Sequence, residues 1–349
     1  MQLLITGAAG FIGFHLCKRM LEDGHTVIGI DNINDQYSIN LKFDRLNELG
    51  INKEDAEIED IICHSNIYTN FKFYRIDLTQ KNILSKVFSE HKFDKVCHLA
   101  ARGGVRNSIE NTIPYIQSNI VGFDCLLEEV SNRNISHLVY ASSSSVYGES
   151  SEVPFKTSQI VDKPISMYAA TKKSNELMAH VYSHLYGFSA TGLRFFTVYG
   201  PWGRPDMAYY LFTKAIIDGD PIKVFNKGQM LRDFTYIDDI VQGIVLILES
   251  DENINSSYRI YNIGNNKAET LEDFIATIEK HLEKKALKVM LPIQKGDVTK
   301  TFADIDNLVD DYGYAPKVSI FEGLKKFVDW YNSYNDDKTN CKSAPTKRG

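Results

Sequence analysis

The sequence predicts an α/β fold, namely a doubly wound parallel sheet with a smaller α/β lobe, and two observations support that prediction. Short runs of β-branched and aromatic residues alternate with helical patterns through the first 200 residues. After Pro201 the pattern changes to a loop-like run that is followed by further helices and strands. We therefore expect a larger domain formed by residues 1–198 and about 236–263, and a smaller lobe formed by about 199–235 and 264–334.

Six runs have the composition of buried strands, and helical patterns lie between them. Glycine stands at the usual helix stop position in two of these patterns, at Gly24 and Gly187. The stretch 32–70 is too long for a simple connection, so we expect it to contain a short helix and to lie over a cleft or at the surface. The predicted strands are LLIT (3–6), TVIGID (26–31), FKFYRID (71–77), KVCHLA (95–100), HLVYASS (137–143) and TGLRFFTV (191–198).

The second half of the chain contains the remaining predicted elements. YYLFTKAIIDG and ETLEDFIATIEKHLEK are helical patterns, and YRIYNIGN has the composition of a strand. RDFTYIDDIVQGIVLIL is interpreted as a loop that turns into a helix. The polar segment 335–349 predicts a disordered tail.

Composition excludes several classes of protein. The chain has 349 residues, 43% of them hydrophobic, and a net charge of -6, whereas general nucleic-acid binders usually carry a basic excess. No apolar run reaches the roughly 18 residues of a membrane-spanning helix, and the opening MQLLITG lacks the pattern of a secretion signal. The five cysteines form no CxxC pair. We therefore expect a cytoplasmic protein that neither binds nucleic acid nor inserts into a membrane.

A glycine motif near the N-terminus predicts a dinucleotide site. Gly7, Gly10 and Gly13 have GxxGxxG spacing between a predicted strand and a predicted helix. Glycine allows a sharp turn and close approach to a pyrophosphate, and the helix N-terminus directs its N–H groups at that charge. The next strand ends in Asp31, 18 residues after Gly13, where an acid can bind a ribose 2′-hydroxyl and would repel a 2′-phosphate. The sequence therefore predicts a Rossmann-type domain that binds NAD in preference to NADP.

A second group of residues has the composition of a catalytic site. Tyr168 and Lys172 of YAATK are four residues apart, so on a helix they share one face. A nearby ammonium group and a positive nicotinamide ring favour phenolate, which lowers the tyrosine pKa from about 10 and makes Tyr168 a candidate general base. The run ASSSSVYG begins at the end of a predicted core strand. Its serines are therefore interpreted as part of a site, although serine runs often form linkers.

Four of these stretches, TGAAGFIG, ASSSSVYG, YAATK and RDFTYIDD, together resemble the extended short-chain dehydrogenase/reductase family over nearly the whole chain. DNINDQYSINLK, GVRNSIEN, GLRFFTVYGPWGRPDMA and QKGDV are similar to the UDP-glucuronate 4-epimerases of bacterial polysaccharide pathways in that family. The resemblance implies that Ser143, Tyr168 and Lys172 carry catalysis, that NAD carries the hydride and that a UDP-sugar is the substrate. It also implies a homodimer paired through helices at about 111–131 and 168–186.

The glycine motif and the resemblance together predict the binding residues. The cofactor site is expected to comprise Gly7, Gly10, Phe11, Ile12, Gly13, Asp31, Asn32, Asp77, Leu78, Leu99, Ala100, Ala101, Asn119, Tyr168 and Lys172. The resemblance implies that Ser144, Ser145 and Thr197 bind the substrate carboxylate. It also implies that Arg204 and Arg232 bind the UDP diphosphate or ribose and that Asp297 contacts a ribose. Arg102 and Arg106 are further cations for an anionic ligand, and Arg102 is expected near the sugar. The alternative for Arg232 is a salt bridge to Asp233 or Asp239.

The leading prediction is reversible C4 epimerisation of UDP-glucuronate to UDP-galacturonate through a 4-keto sugar. Relatives that dehydrate the sugar carry an Asp-Glu pair where Ser144 and Ser145 stand, so dehydration is disfavoured. The alternatives are a 4-epimerase of another UDP-hexose, a UDP-glucuronate decarboxylase, and a catalytically silent NAD-binding regulator. His180 and His184 lack the glutamate of HExxH and a third ligand, so no metal site is predicted.

Overall fold

A computed structural model of the chain describes residues 1–150, 152–250, 257–293 and 298–343. Its strands are β1 Gln2–Thr6, β2 Thr26–Asp31, β3 Ile62–His64, β4 Phe71–Arg75, β5 Lys95–His98, β6 His137–Ser143, β7 Ser189–Phe195, β8 Thr197–Tyr199, β9 Pro221–Phe225, β10 Leu231–Tyr236, β11 Tyr258–Ile263, β12 Ala268–Thr270 and β13 Leu287–Leu291.

The α-helices are α1 Phe11–Glu22, α2 Ile39–Glu48, α3 Lys53–Ala56, α4 Lys81–Glu90, α5 Asn107–Glu110, α6 Ile113–Ile116, α7 Gly122–Ser131, α8 Met167–Tyr186, α9 Ala208–Asp218, α10 Ile237–Glu249, α11 Leu271–Leu282, α12 Asp306–Tyr312 and α13 Ile320–Ser343. A π-helical turn, Gln117–Val121, joins α6 to α7, and 3-10 turns occupy Ser144–Tyr147 and Asn226–Gly228.

The predicted doubly wound sheet is confirmed. Eight strands lie in the order β11-β7-β6-β5-β1-β2-β4-β3, and all pair in parallel except β3, which runs antiparallel to β4. Successive side chains of a strand point to opposite faces, so Leu3 and Ile5 join one buried cluster and Leu4 joins the other. Both faces of the sheet are therefore covered, as in other parallel sheets with crossover helices.

Smaller sheets form beside the large one. β12, β10 and β8 make a three-stranded sheet, and β13 pairs with β9. The chain segment between β10 and β12 belongs to the larger part of the molecule: α10 packs against α1, and β11 forms an edge of the large sheet. The carboxyl ends of the large sheet and the smaller sheets thus face the same cleft.

Three sequence expectations differ from the structure. The run predicted as one strand at 191–198 divides at Phe196: β7 stays in the large sheet, while β8 pairs with β10 in the small one. The segment RDF, residues 232–234, was expected in a loop. It lies in β10 instead, because the backbone of this strand pairs with β12 and with β8. The last helix continues through Ser343, into the predicted disordered tail, because the polar sequence contains neither glycine nor proline before Pro345.

Candidate active site

The glycine motif forms a tight loop between β1 and α1. Gly7 has a φ of +74°, and a Cβ on it would lie 2.8 Å from the backbone nitrogen of Ala100. A Cβ on Gly13 would lie 2.0 Å from the carbonyl oxygen of Gly7. Any side chain at either position would displace the loop, so both glycines are needed to bring the N-terminus of α1 against the end of β1.

Asp31 lies at the end of β2, directly beside this loop. Its carboxylate accepts hydrogen bonds from the backbone N–H groups of Ala9 (3.2 Å) and Ile33 (2.8 Å). Lys42 of α2 lies 3.6 Å from the same carboxylate. The glycine cradle and the oriented acid fit the pyrophosphate and ribose of a dinucleotide, which are the groups that Rossmann-type loops bind.

The predicted catalytic residues meet where β6 ends and α8 begins. Ser166 caps α8 by accepting a hydrogen bond from the N–H of Ala169, which places Tyr168 in the first helical turn. The Tyr168 side chain lies beside that of Ser143, and both line one cavity. One turn further along α8, the Lys172 ammonium group donates to the carbonyl oxygen of Ala141 at 2.7 Å.

Burial and neighbouring charge act in opposite directions on the pKa of Tyr168. Burial is the larger effect and raises the pKa of Tyr168 above its ordinary value, while the interaction with Ser143 and the positive charge of Arg204 offset part of that rise. The pKa of Lys172 is lowered to about 7 because the ammonium group is almost completely buried. The sequence predicted a lowered tyrosine pKa, with Lys172 and the nicotinamide as the cations that favour phenolate. In the structure burial raises this pKa instead, and Arg204 is the cation that opposes the rise.

One cavity of about 1160 Å³ connects the glycine loop with the catalytic residues and the smaller sheets. Its lining includes most of the predicted site residues, which are Gly7, Gly10, Phe11, Ile12, Gly13, Asp31, Asn32, Asp77, Leu78, Leu99, Ala100, Ala101, Arg106, Ser143, Ser144, Ser145, Tyr168, Lys172, Thr197, Arg204 and Arg232. The break at Phe196 brings Thr197 to this wall. The described residues thus surround space for both a dinucleotide and a sugar nucleotide.

Two predicted residues lie elsewhere. Asn119 is buried, and its side chain pairs with the backbone N–H (2.7 Å) and carbonyl (3.1 Å) of Arg102. The Arg102 side chain lines a smaller cavity of about 180 Å³ together with Asn32 and Asp77, and its guanidinium lies 3.9 Å from Asp35. Arg102 is thus absent from the residues that line the larger cavity, and its expected position near the sugar stays a prediction. Asp297, expected to contact ribose, lies outside the described residues.

The other arginines line the substrate end of the cavity. Arg204 pairs with Asp206 at 2.6 Å and lies directly against Gly103, where a Cβ would be 2.6 Å from the guanidinium. Arg106 lies over the ring of Phe225 at 5.2 Å. Arg232 donates to the carbonyl oxygen of Val298 at 2.5 Å. These cations supply the local positive charge that an anionic substrate needs in a chain of net charge -6.

Sequence reasoning missed a buried network behind the catalytic residues. Glu176, one turn after Lys172, accepts two hydrogen bonds from Arg194 at 2.8 and 2.9 Å. Ser142, the residue before Ser143, donates to the same carboxylate at 2.7 Å. The four-residue spacing from Lys172 to Glu176 could have indicated that Glu176 lies on the same helix face as Lys172. Its partner Arg194, in β7, can be identified only in the folded chain.

The stretch 32–70 was expected to lie over a cleft or at the surface, but Gln36 and Tyr37 were not singled out from the sequence. Both line the cavity, and the Gln36 side chain hydrogen-bonds the carbonyl oxygen of Gly103. The Tyr37 ring lies 6.0 Å from the Arg204 guanidinium. Both residues belong to the run DNINDQYSINLK, whose resemblance to sugar-nucleotide epimerases was the available signal.

Two further features are absent from the described part of the chain. No helix there is both long and apolar enough to cross a membrane. Within the same residues, no group of three or more His, Cys, Asp or Glu side chains is placed to hold a metal ion.

A dinucleotide-type glycine loop that faces a Ser-Tyr-Lys arrangement across one cavity defines an enzyme of the short-chain dehydrogenase/reductase type. The chain belongs to the NAD dependent epimerase/dehydratase family, whose model matches residues 3–264. This assignment confirms the family and the class of enzyme predicted from the sequence.

Individual relatives match over almost their whole length. Protein CapI of Staphylococcus aureus is 49% identical over 348 residues, which cover 96% of this chain and 99% of that protein. A probable UDP-glucuronate 4-epimerase of Rhizobium meliloti strain 1021 is 41% identical, with 95% of this chain and 97% of that protein covered. The crystal structure of the UDP-glucuronic acid 4-epimerase from Bacillus cereus, in complex with UDP-glucuronic acid and NAD, superposes with a TM-score of 0.85. That enzyme is 35% identical, and the match covers 96% of this chain and 100% of that chain.

Proposed function

We propose that this chain is an NAD-dependent UDP-glucuronate 4-epimerase, which interconverts UDP-glucuronate and UDP-galacturonate through a 4-keto sugar. The main support is the arrangement at the end of β6: the Ser143 side chain lies beside Tyr168, and the hydroxyl-bearing Ser144 and Ser145 line the same cavity. The similarity to the Bacillus cereus enzyme, whose structure contains UDP-glucuronic acid and NAD, supports the same substrate and cofactor.

Tyr168 is the general base of the proposed reaction. Its hydroxyl is oriented by Ser143 and takes the proton of the sugar C4 hydroxyl, with the nearby Arg204 charge favouring the phenolate. NAD, when bound, accepts the hydride from C4 and later returns it to the opposite face of the ketone. Lys172 lies on the same helix face as Tyr168, and its ammonium group donates a hydrogen bond to the carbonyl oxygen of Ala141. This bond fixes the position of the lysine beside the catalytic tyrosine.

Ser144 and Ser145 are expected to favour epimerisation over two side reactions, decarboxylation and dehydration. A 4-keto uronic acid is a β-keto acid, which loses CO₂ when its carboxylate turns perpendicular to the ring carbonyl. Ser144, Ser145 and Thr197 are assigned to hold that carboxylate by hydrogen bonds from their hydroxyl groups. None of the three is a carboxylic acid that could protonate a leaving hydroxyl, which disfavours dehydration.

The remaining assignments follow the shape of the cavity. The larger domain is assigned to NAD and the smaller lobe to the UDP-sugar. Arg106, Arg204 and Arg232 are assigned to the negative charges of the substrate, supported by their position on the cavity wall. Asp297 is assigned to the substrate ribose on the resemblance alone.

The direct test is to incubate the protein with UDP-glucuronate and to separate the sugar nucleotides. UDP-galacturonate is the expected product, and Tyr168→Phe should lower the rate by roughly 10²- to 10⁴-fold while the bound NAD content stays unchanged. Release of CO₂ without the 4-epimer would favour a decarboxylase. Turnover of UDP-glucose alone would favour a different 4-epimerase.

We also infer that the active form is a homodimer. The exposed face of α8 carries Leu177, Val181 and Leu185 at intervals of four residues, and Ile113 and Ile116 are exposed on α6, which packs beside it. Leu185 is 66% exposed and Ile113 is 68% exposed. Contiguous exposed apolar side chains on two neighbouring helices are typical of a protein interface, and pairing of two such surfaces gives a four-helix contact.

A further inference from the structure

Arg45 of α2 connects two loops that are far apart in the sequence. Its guanidinium donates to the carbonyl oxygen of Ala9, in the glycine loop, at 2.9 Å. It also donates twice to the carbonyl oxygen of Trp202, at 2.6 and 3.1 Å, and to the Tyr37 hydroxyl at 2.8 Å. Arg45 is fully buried, so these bonds are shielded from water.

The charge of Arg45 is unusual for a buried arginine. All of the acceptors named above are neutral, and no ion pair between Arg45 and a carboxylate is found among the described residues. Burying a cation without a paired anion is costly unless many hydrogen bonds or a nearby negative charge compensate it. The cation contacts the loop at the N-terminus of α1, the position at which Rossmann-type loops bind a pyrophosphate.

The second contact of Arg45 reaches the substrate end of the cavity. Trp202 has a φ of +61°, a backbone conformation that bulky residues rarely adopt, and the carbonyl that Arg45 binds belongs to this residue. Arg204 follows two positions later and lies within 6.0 Å of the Tyr37 ring. Arg45 therefore contacts both sides of Arg204: the loop that carries it and the ring that faces it.

We propose that Arg45 is a positioning residue that holds the cofactor-binding loop and the Arg204 loop in one arrangement, so that NAD retention and substrate binding both depend on it. The substrate part of this inference rests on the proposed function. Because a lysine cannot bridge several carbonyls as the guanidinium fork does, charge and geometry can be separated by substitution.

The test compares Arg45→Met, Arg45→Lys and Tyr37→Phe with the wild-type protein. NAD per chain is measured after purification without added cofactor, KM and kcat are measured with UDP-glucuronate, and melting temperatures are recorded. Arg45→Met should lose most of its bound NAD and raise KM roughly tenfold, since small displacements of binding groups have effects of this order or more. Arg45→Lys should retain more NAD than Arg45→Met but share the raised KM, and Tyr37→Phe should raise KM alone.

Arg75→Met is the matched control, because Arg75 binds the Glu57 carbonyl of the same connecting segment but does not line the cavity. It should lower the melting temperature without changing NAD content or KM. The proposal would be overturned if Arg45→Met kept the NAD content and the KM of the wild-type protein. If Arg45→Met does not fold, the proposal would be overturned by a wild-type NAD content and KM in both Arg45→Lys and Tyr37→Phe. If the wild-type protein does not epimerise UDP-glucuronate, the proposed function fails, while NAD content still decides the role of Arg45 at the cofactor loop.

Discussion

Lys172 is 1% exposed, and burial lowers its pKa from 10.5 to about 7. Between these two values the unfolded chain binds a proton that the folded chain does not. The free energy of unfolding therefore increases with pH across this window, and the destabilisation by Lys172 is fully present below pH 7. A residue that we assign to the active site thus weakens the fold at neutral and acidic pH.

Lys172→Met should raise the melting temperature of the NAD-free protein at pH 6, and the gain should shrink as pH rises from about 7 toward 10.5. The reason is that methionine fills the site without a charge that burial disfavours. Calorimetry across this pH range measures the effect. Lys173→Met, at the adjacent and more exposed position, should show no such pH-dependent gain, and an equal gain in both variants would contradict the explanation.

Ser145 gives a second prediction at the scale of one residue. Its hydroxyl donates to the Ser143 hydroxyl oxygen at 2.9 Å, in a 3-10 turn that follows β6 directly. Ser144→Ala and Ser145→Ala, singly and together, should increase CO₂ release relative to UDP-galacturonate, because the β-keto acid carboxylate is held by fewer hydrogen bonds. Product analysis gives this ratio, and Ser131→Ala on α7 serves as the control. An unchanged ratio in the double variant would remove both serines from the proposed role.

At the scale of elements, the Glu176–Arg194 ion pair joins α8 to β7, and the Ser142 bond to Glu176 adds β6. Glu176 and Arg194 are 1% and 2% exposed, so water does not screen the pair. The pair holds the helix that carries Tyr168 and Lys172 against β7, and the Ser142 bond holds the same helix against the strand that ends in Ser143. The relative position of the catalytic groups therefore depends on this buried contact.

Glu176→Gln should lower the free energy of unfolding by about 3–5 kcal/mol, because it leaves the buried Arg194 charge without its partner. The double variant Glu176→Gln with Arg194→Met should recover part of that loss, since the uncompensated charge is then removed as well. Denaturant titration measures both, and Arg259→Met, which removes a partly exposed pair with Asp311, is the control. A loss below about 1 kcal/mol in Glu176→Gln would show that the pair does not hold these elements together.

At the scale of the whole molecule, the apolar surface of α6 and α8 predicts the oligomeric state. Leu177→Glu with Leu185→Glu should convert a dimer into a monomer, because two charges would be buried at the centre of the contact. Sedimentation velocity distinguishes the two states. Ile160→Glu replaces an 85% exposed apolar residue outside these helices and should leave the dimer intact. A wild-type protein that sediments as a monomer would contradict the inference.

Local patterns in the sequence were sufficient to predict the fold class and many of the residues that line the cavity. Strand composition, the glycine spacing and the four-residue interval from Tyr168 to Lys172 each report backbone geometry within one or two elements. Parallel strands end at the same edge of a sheet, so the residues that follow them were expected to meet there. The structure does bring Ser143, Tyr168 and Lys172 to one cavity.

The tertiary structure alone decided the contacts between distant segments. Arg45 binds Trp202 across 157 residues, and the Asn119 side chain accepts a hydrogen bond from the backbone N–H of Arg102. The division of the run 191–198 at Phe196 depends on β10, which pairs with the second part of that run. The periodicity of hydrophobic residues predicts which side of a helix or strand is buried. The partner of a buried polar group, in contrast, depends on how whole elements pack against one another. For that reason the sequence determined the chemistry of this protein, and the packing determined how that chemistry is positioned.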